Sequence, residues 1–265
     1  MSVNINKYLH PEMDKELGIQ HAFHRTKIVA TVGPACDTYE KLHELCLAGV
    51  NVFRLNFSHG THEDKARIIE YIRELRAKEP FNIAILADLQ GPKLRVGEIE
   101  NGALEIAPGD ILTFTSKQKV VGTKEKIYVS YPNLHEDVKV GNKILIDDGK
   151  LEVVVVNITE DGDVKVSVTY GGTLYPKKGV NLPDTEISLP SLTEKDLVDL
   201  EFIISQKVEW VALSFVRKAD DIIDLKARLN KANSPTKVIA KIEMPSALVD
   251  LRNIIVESDG VMVAR

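Results

Sequence analysis

The chain has 265 residues, 44% of them hydrophobic and 6% aromatic, with a formal charge of −5 at pH 7. That length admits a full α/β barrel or two domains, and the acidic balance argues against a general nucleic-acid binder, although basic residues that converge locally can still hold anions. No apolar run approaches the roughly eighteen residues of a membrane helix, the N-terminus lacks a secretory pattern, and the two cysteines, Cys36 and Cys46, fit a reducing compartment, so a cytoplasmic protein with no membrane partner is expected.

Residues 1–24 are polar and weakly patterned, and at most a short outer helix is expected there. Residues 26–32 are rich in β-branched side chains and stop at Gly33-Pro34, the pattern of a buried strand ended by a breaker. Asp37 stands three positions before Glu40 in a capping-box arrangement, and Leu42, Leu45 and Cys46 follow at helical spacing up to Gly49. Cys46 reads as core.

Residues 52–60, Val-Phe-Arg-Leu-Asn-Phe-Ser-His-Gly, alternate with period two. In an extended strand Arg54, Asn56 and Ser58 share one face, and Phe53, Leu55 and Phe57 the other. A half-exposed antiparallel strand shows the same alternation. The order favours a parallel α/β unit: after the strand come His59-Gly60, then Thr61-His62-Glu63-Asp64 opening an amphipathic helix, and such turns carry ligand chemistry in parallel folds.

The helix is expected over 63–78 with Ile68, Ile69, Ile72 and Leu75 inside, followed by a near-continuous apolar strand over 82–88 that ends in Asp88. Three βα units in ninety residues predict a parallel α/β architecture. From Gly91-Pro92 to about Leu189 the helical period disappears. Short β-rich runs at 111–115, 126–130, 143–147, 151–156 and 163–170 are separated by turn formers, which predicts an inserted all-β domain. The apolar run 153–156 reads as covered on both faces, favouring a small closed barrel. From Thr193 the first rhythm returns, with a helix holding Leu197, Leu200, Ile203 and Ile204 inside, a strand at 209–214, a helix at 220–229 and a strand at 237–243. Pro245 is placed in the first turn of the next helix, and a sixth strand starts at Gly260.

Lys241 and Glu243 lie two apart at the C-terminal end of their strand, as Asn56 and Ser58 do on theirs and Asp88 on the third. Such ends of parallel barrel strands converge on one rim. The expected set is Arg54, Asn56, Ser58, Asp88, Lys241 and Glu243, with Lys93 and Arg95 just past the entry to the insertion. Cations neutralise phosphoryl oxygens, a carboxylate holds a hard divalent ion, and phosphoryl transfer is mostly positioning and charge stabilisation. Each residue has a plainer explanation: a solvated rim charge for Lys or Glu, a turn cap for Asp88, an exposed turn for Lys177-Lys178-Gly179. His59 and His62 lack a third His or Cys at ligand spacing, so zinc is not expected.

Residues 26–34, 51–60, 88–95 (Asp-Leu-Gln-Gly-Pro-Lys-Leu-Arg), 178–183 (Lys-Gly-Val-Asn-Leu-Pro) and 240–243, in this order and spacing, closely resemble the pyruvate kinase family. The resemblance implies a (β/α)8-type barrel over 25–90 and 190–265, interrupted by a β-barrel lid over 91–189. It implies phosphoryl transfer from phosphoenolpyruvate to ADP, giving pyruvate and ATP in glycolysis, with Mg²⁺ or Mn²⁺ and often K⁺. By matching motif, Arg54 would bind the phosphoryl group and Lys241 would stabilise it and the enolate. Glu243 would be a Mg²⁺ ligand, and Asn56, Ser58, Asp88 and the Leu89 carbonyl would surround K⁺. Arg95 and Lys178, with Asn56 and His59, would meet the nucleotide.

Two departures bear on this. Leu89-Gln90 stand where the family usually has Thr-Lys, which spares a backbone contact but not a side-chain one. Lys93 stands where K⁺-dependent members carry a glutamate, so its ammonium is expected to replace the bound K⁺. The family's barrel runs on past residue 265, with a second Mg²⁺ carboxylate, further strands and a regulatory domain. The barrel is thus expected to be truncated in its sixth strand and incompetent for catalysis alone, while the full-length protein is expected to be a homotetramer. The alternative is a non-catalytic phosphoenolpyruvate-binding or assembly-dependent module. A Mg²⁺-dependent barrel lyase is disfavoured by the β insertion and the 178–183 motif.

Overall fold

A computed structural model describes residues 26–185 and 187–263, so the outer helix expected within 1–24 lies outside the described residues. The chain divides into two compact units, one of residues 1–89, 199–212 and 229–237, the other of residues 90–198, 213–228 and 238–265.

The first unit opens with β1 (Ile28–Thr31), α1 (Tyr39–Leu47), β2 (Val50–Asn56), α2 (His62–Lys78) and β3 (Ala84–Asp88). The strands pair in parallel, with Thr31 opposite Arg54 and Asn56 opposite Asp88. The alternation of β2 is as expected: Phe53, Leu55 and Phe57 are buried, whereas Arg54, Asn56 and Ser58 keep partial exposure. Helix α1 departs from expectation at its start. Its N-cap is Thr38, whose side chain accepts from the Lys41 amide, and not Asp37. Both residues are cap formers one position apart, and the hydroxyl won. Burial, and behind it the Glu79 charge, pushes the Cys46 thiol up to about 11, as suits a core residue. The capping box of α2 is formed by Thr61 and Asp64, and Ile68, Ile69, Ile72 and Leu75 are its buried stripe.

The second unit begins with β4 (Leu104–Ile106), β5 (Ile111–Thr115), β6 (Ile127–Tyr128), α3 (Leu134–Asp137), β7 (Lys143–Ile146), β8 (Leu151–Ile158), β9 (Val164–Tyr170), β10 (Gly172–Leu174) and β11 (Val180–Asn181). Six of these strands form a sheet in the order β11-β7-β8-β9-β5-β6, and β10 pairs with β4. Residues 94–97 join the two sheet edges. On one side the Val180 amide donates to Leu94 O at 2.9 Å and the Val96 amide to Lys178 O at 2.9 Å; on the other the Ser130 amide donates to Arg95 O and the Gly97 amide to Tyr128 O, both at 2.8 Å. The sheet therefore closes, around Phe114, Ile144, Ile146, Val153, Val155, Val164 and Val166. The expected double covering of 153–156 is wrong. Val153 and Val155 face the core, whereas Val154 is half-buried and Val156 exposed, because a closed single-layer barrel covers only the inner face. Strands β4, β10 and β11 are too short to read in sequence.

The remaining elements are α4 (Glu194–Ser205), β12 (Trp210–Leu213), α5 (Ala219–Lys231), β13 (Lys237–Ile242), α6 (Leu251–Glu257) and β14 (Gly260–Val263). In the first unit β12 lies parallel to β3, with Ala212 opposite Asp88. In the second, β13 and β14 are parallel, with Lys241 opposite Met262. Strand β13 ends at Ile242, so Glu243 stands just beyond it, and Pro245 starts a 3₁₀ turn, Pro245–Leu248, rather than an α-helix. Thr193 and Asp196 form a capping box at α4: the Asp196 amide donates to Thr193 Oγ1 at 3.2 Å and the Thr193 amide to Asp196 Oδ2 at 2.9 Å. Its buried stripe includes Asp199, which the hydrophobic pattern hides. His62 Nε2 lies 2.7 Å from Asp199 Oδ1, and the His62 ring stacks on Phe202 at 4.4 Å.

Within the first unit, Glu209 receives Arg76 Nη1 at 2.8 Å and Nη2 at 3.1 Å, and its Oε2 accepts the Ile85 amide at 2.8 Å. Burial by itself raises its carboxyl, but Arg76 and the Ile85 amide outweigh that and hold it below the ordinary range. A depressed folded value means stability present above the unfolded carboxylate range and lost as pH falls through the folded value. Glu209→Gln is expected to cost about 1 kcal/mol at pH 7, with the gap from the parent shrinking below pH ~4. Urea unfolding at both pH values checks this, and an equal gap at both would refute it.

Candidate functional site

In the first unit, β2 and β3 set two side chains against each other. Asn56 and Asp88 are register partners, and Arg54 reaches from two residues back. Arg54 Nε donates to Asp88 Oδ2 at 2.8 Å, Nη2 donates to the same oxygen, and Nη1 donates to Thr31 Oγ1 at 2.8 Å. Three of the five guanidinium N–H groups are thus committed to fixing it, and two remain to meet an anion. Asp88 is buried and Leu89 fully so, with the Leu89 amide donating to Ala212 O at 3.0 Å. Asn56 Oδ1 accepts the Ser58 amide at 2.9 Å, turning the chain towards α2. His59 is exposed on that turn.

In the second unit, Lys241 is nearly buried near the end of β13. Its Nζ donates to Ser214 Oγ at 2.7 Å and lies 3.0 Å from Glu243 Oε1, while Glu243 Oε2 accepts the Phe215 amide at 3.0 Å. Phe215 is left-handed, with φ +56, and Gly91, with φ +67, packs on it. A Cβ at Gly91 would come within 2.9 Å of the Phe215 ring and 3.1 Å of Ser214 O. The Gly91 amide donates to Asp196 Oδ1 at 3.1 Å. Ser214 and Phe215 were not singled out from sequence; Ser214 had a signal, since it stands directly after β12, near a strand end as Ser58 is, two residues past β2.

Lys93, Arg95 and Lys178 belong to the same unit. Lys93 keeps solvent exposure as a residue, yet protein atoms crowd its ammonium. That desolvation, then the cations of Arg95 and Lys241, lower its pKa against the pull of Asp148 and Glu243. Arg95 Nη1 donates to Lys177 O at 2.8 Å, and Lys178 Nζ lies 3.0 Å from Asp147 Oδ1. Lys93, Arg95, Lys241 and Glu243 are therefore drawn into one electrostatic neighbourhood.

The donor chemistry fits hard cations in part. Among the described residues no group of three or more His, Cys, Asp or Glu is placed to hold a metal ion. Mg²⁺ commonly takes one or two protein carboxylates and completes its shell with water and substrate phosphate, for which Glu243 suffices. Asn56 Oδ1, Ser58 Oγ, Asp88 and the Leu89 carbonyl are all-oxygen donors on adjoining strand ends, as a monovalent cation needs.

Parallel βα units with cations and carboxylates at their C-terminal strand ends, plus an inserted closed β-barrel, place the chain in the α/β-barrel class. A family model described as "Pyruvate kinase, barrel domain" matches residues 23–265. Pyruvate kinase from Geobacillus stearothermophilus is 44% identical over 243 residues, covering 91% of this chain and 41% of that protein. Pyruvate kinase 2 from Synechocystis sp. is 45% identical over 244 residues, again covering 91% and 41%. A crystal structure of a pyruvate kinase from Cryptosporidium parvum matches with a TM-score of 0.83 at 34% identity, covering 90% of this chain and 50% of that one. The chain belongs to the pyruvate kinase family, and its fold is that family's (β/α)8-type barrel architecture. It spans about two fifths of the length of these curated relatives.

Proposed function

We propose that this chain supplies the phosphoenolpyruvate-handling part of a pyruvate kinase acting in cytoplasmic glycolysis, the whole protein being a homotetramer. The observation that carries the reading is Lys241, an ammonium withdrawn from water at a strand end and held by Ser214 and Glu243. Burying such a charge is costly, and an anionic substrate repays it. In the reaction the bond from phosphorus to the enolate oxygen breaks and one to the terminal phosphate oxygen of ADP forms. Arg54, clamped by Asp88 and Thr31, offers its remaining N–H groups to the phosphoryl oxygens. Lys241 stabilises charge on the transferring group and on the oxygen of the enolate left behind, and a proton added to the methylene carbon of that enolate gives pyruvate. Arg95, Lys178, Asn56 and His59 serve the nucleotide. Glu243 would hold Mg²⁺ or Mn²⁺, which supplies charge neutralisation when bound, and Asn56, Ser58, Asp88 and the Leu89 carbonyl are the set that would hold K⁺ where the Lys93 ammonium does not replace it. Residues 25–90 and 190–265 form the catalytic barrel in this reading, and 91–189 its lid.

The 265-residue chain by itself is expected to bind phosphoenolpyruvate in the presence of Mg²⁺ without converting ADP, because it spans so small a share of its relatives. Calorimetric titration combined with a pyruvate assay tests this. Absence of binding overturns the reading. Binding without turnover also fits a non-catalytic or assembly-dependent module, and turnover restored by the full-length protein separates the two.

The crowded Lys93 ammonium, beside Arg95, Lys241 and Glu243, stands in for K⁺ in this reading. Full-length enzyme is expected to run in K⁺-free buffer, and Lys93→Glu to make the rate depend on added K⁺. An enzyme inert until K⁺ is supplied would refute it.

A further inference from the structure

The turn joining β7 to β8 carries three successive left-handed residues, Asp147, Asp148 and Gly149, with φ 53, 57 and 85. Asp and Asn are the side chains that tolerate this conformation, so the turn alone calls for either. At 147 the charge is used as well. Oδ1 lies 3.0 Å from Lys178 Nζ, and Oδ2 lies 2.9 Å from Lys150 Nζ. The Asp147 amide donates to Gly179 O at 3.0 Å, and its own carbonyl accepts the Lys150 amide at 3.2 Å, which ties the turn to the segment that bears Lys178 and leads into β11. Bonds from Lys150 and then Lys178 hold the Asp147 carboxyl below its usual range, so it stays ionised. Among the described residues, two further cations of this unit, Lys93 and Arg95, have no carboxylate bond of this kind, and Arg95 is instead braced on Lys177 O.

We propose that Asp147 is a positioning residue that acts as an internal competitor for Lys178, so that the phosphates of a nucleoside diphosphate must displace a resident carboxylate before Lys178 engages them. The inference rests on the nucleotide role proposed for Lys178. The clasp keeps a long cationic side chain, half-exposed and over the Tyr175 ring at 5.8 Å, in one place. It also lowers affinity for any anion that approaches Lys178, so the charge of the ligand sets the threshold for entry.

The test is calorimetric titration of the full chain at low salt with ADP and, for the phosphates alone, inorganic pyrophosphate. Lys178→Met should weaken both; no change would overturn the nucleotide role of Lys178 and this inference together. Asp147→Asn keeps the left-handed turn and removes the charge. It should tighten both ligands about two- to fivefold, the worth of one exposed ion pair. Unchanged or weaker binding, with Lys178→Met still deleterious, overturns the inference alone. In the Lys178→Met background the gain from Asp147→Asn should vanish; a persisting gain assigns it to the general field and refutes the competitor role. Lys150→Met provides a second reading if Asp147→Asn does not fold. It leaves the carboxylate to Lys178 undivided and should weaken ADP binding, whereas tighter or equal binding refutes the clasp.

Discussion

Lys241→Met is expected to weaken phosphoenolpyruvate binding about 10- to 100-fold, because one charge-assisted hydrogen bond to an anion contributes roughly 1.5–3 kcal/mol. Methionine keeps most of the aliphatic stem, so packing on β13 survives. The ammonium is lost, and with it the partner of Glu243 Oε1 at 3.0 Å and the donor to Ser214 Oγ at 2.7 Å. Glu243 then keeps the Phe215 amide on its other oxygen. A carboxylate largely withdrawn from water with half its partners removed costs about 1–3 kcal/mol, so the unfolding midpoint should fall too. Lys241→Arg is not expected to rescue binding, since a planar fork does not place a point charge where the ammonium sits. Titration with phosphoenolpyruvate and Mg²⁺ decides; parental affinity in Lys241→Met would remove the main support of the proposed function.

Gly91→Ala is expected to destabilise the chain by about 2–5 kcal/mol. Holding alanine at φ +67 costs roughly 1–2 kcal/mol, and driving a methyl into the Phe215 ring and Ser214 costs roughly 1–3 more. Gly149→Ala separates the two effects. Gly149 has φ +85 but nothing within 4 Å of a Cβ, so only the conformational part applies there. Urea unfolding of both variants should therefore rank Gly91→Ala well below Gly149→Ala. Equal losses would show that the packing of Gly91 on Phe215 does not matter. A binding consequence follows from the same contact. Phe215 carries the amide that holds Glu243, so displacement of its backbone loosens the carboxylate assigned to Mg²⁺, and phosphoenolpyruvate binding should require more Mg²⁺ in Gly91→Ala.

The elements that read correctly in sequence are those whose signal is local. The alternation from Phe53 to Ser58 reports two faces of a strand, and Ile68, Ile69, Ile72 and Leu75 report one face of a helix; both appear as expected. Errors arose where a local pattern was compatible with two environments. Four consecutive hydrophobic residues at 153–156 fit a strand covered on both sides, yet Val156 faces water because barrel closure, not composition, decides which side is inner. Two adjacent cap formers, Asp37 and Thr38, competed for one helix start, and only the hydrogen bond to Lys41 shows which took it. Asp196 and Asp199 carry no hydrophobic signal, yet both are buried. The capping box with Thr193 satisfies Asp196 locally, whereas Gly91 and His62, further partners, lie outside the helix and cannot be inferred from it.

By itself the sequence determined that this protein alternates parallel strands with helices around an inserted β-domain, and that Arg54, Asn56, Asp88 and Lys241 stand near strand C-termini, because side-chain period and breaker positions are properties of neighbouring residues. Only the tertiary structure decided how those groups are held. Arg54 meets Asp88 across 34 positions, Lys241 meets Ser214 across 27, and Phe215 meets Glu243 across 28. Such pairings depend on strand register and on a left-handed turn, and no short-range pattern carries the register of strands that lie side by side only after folding.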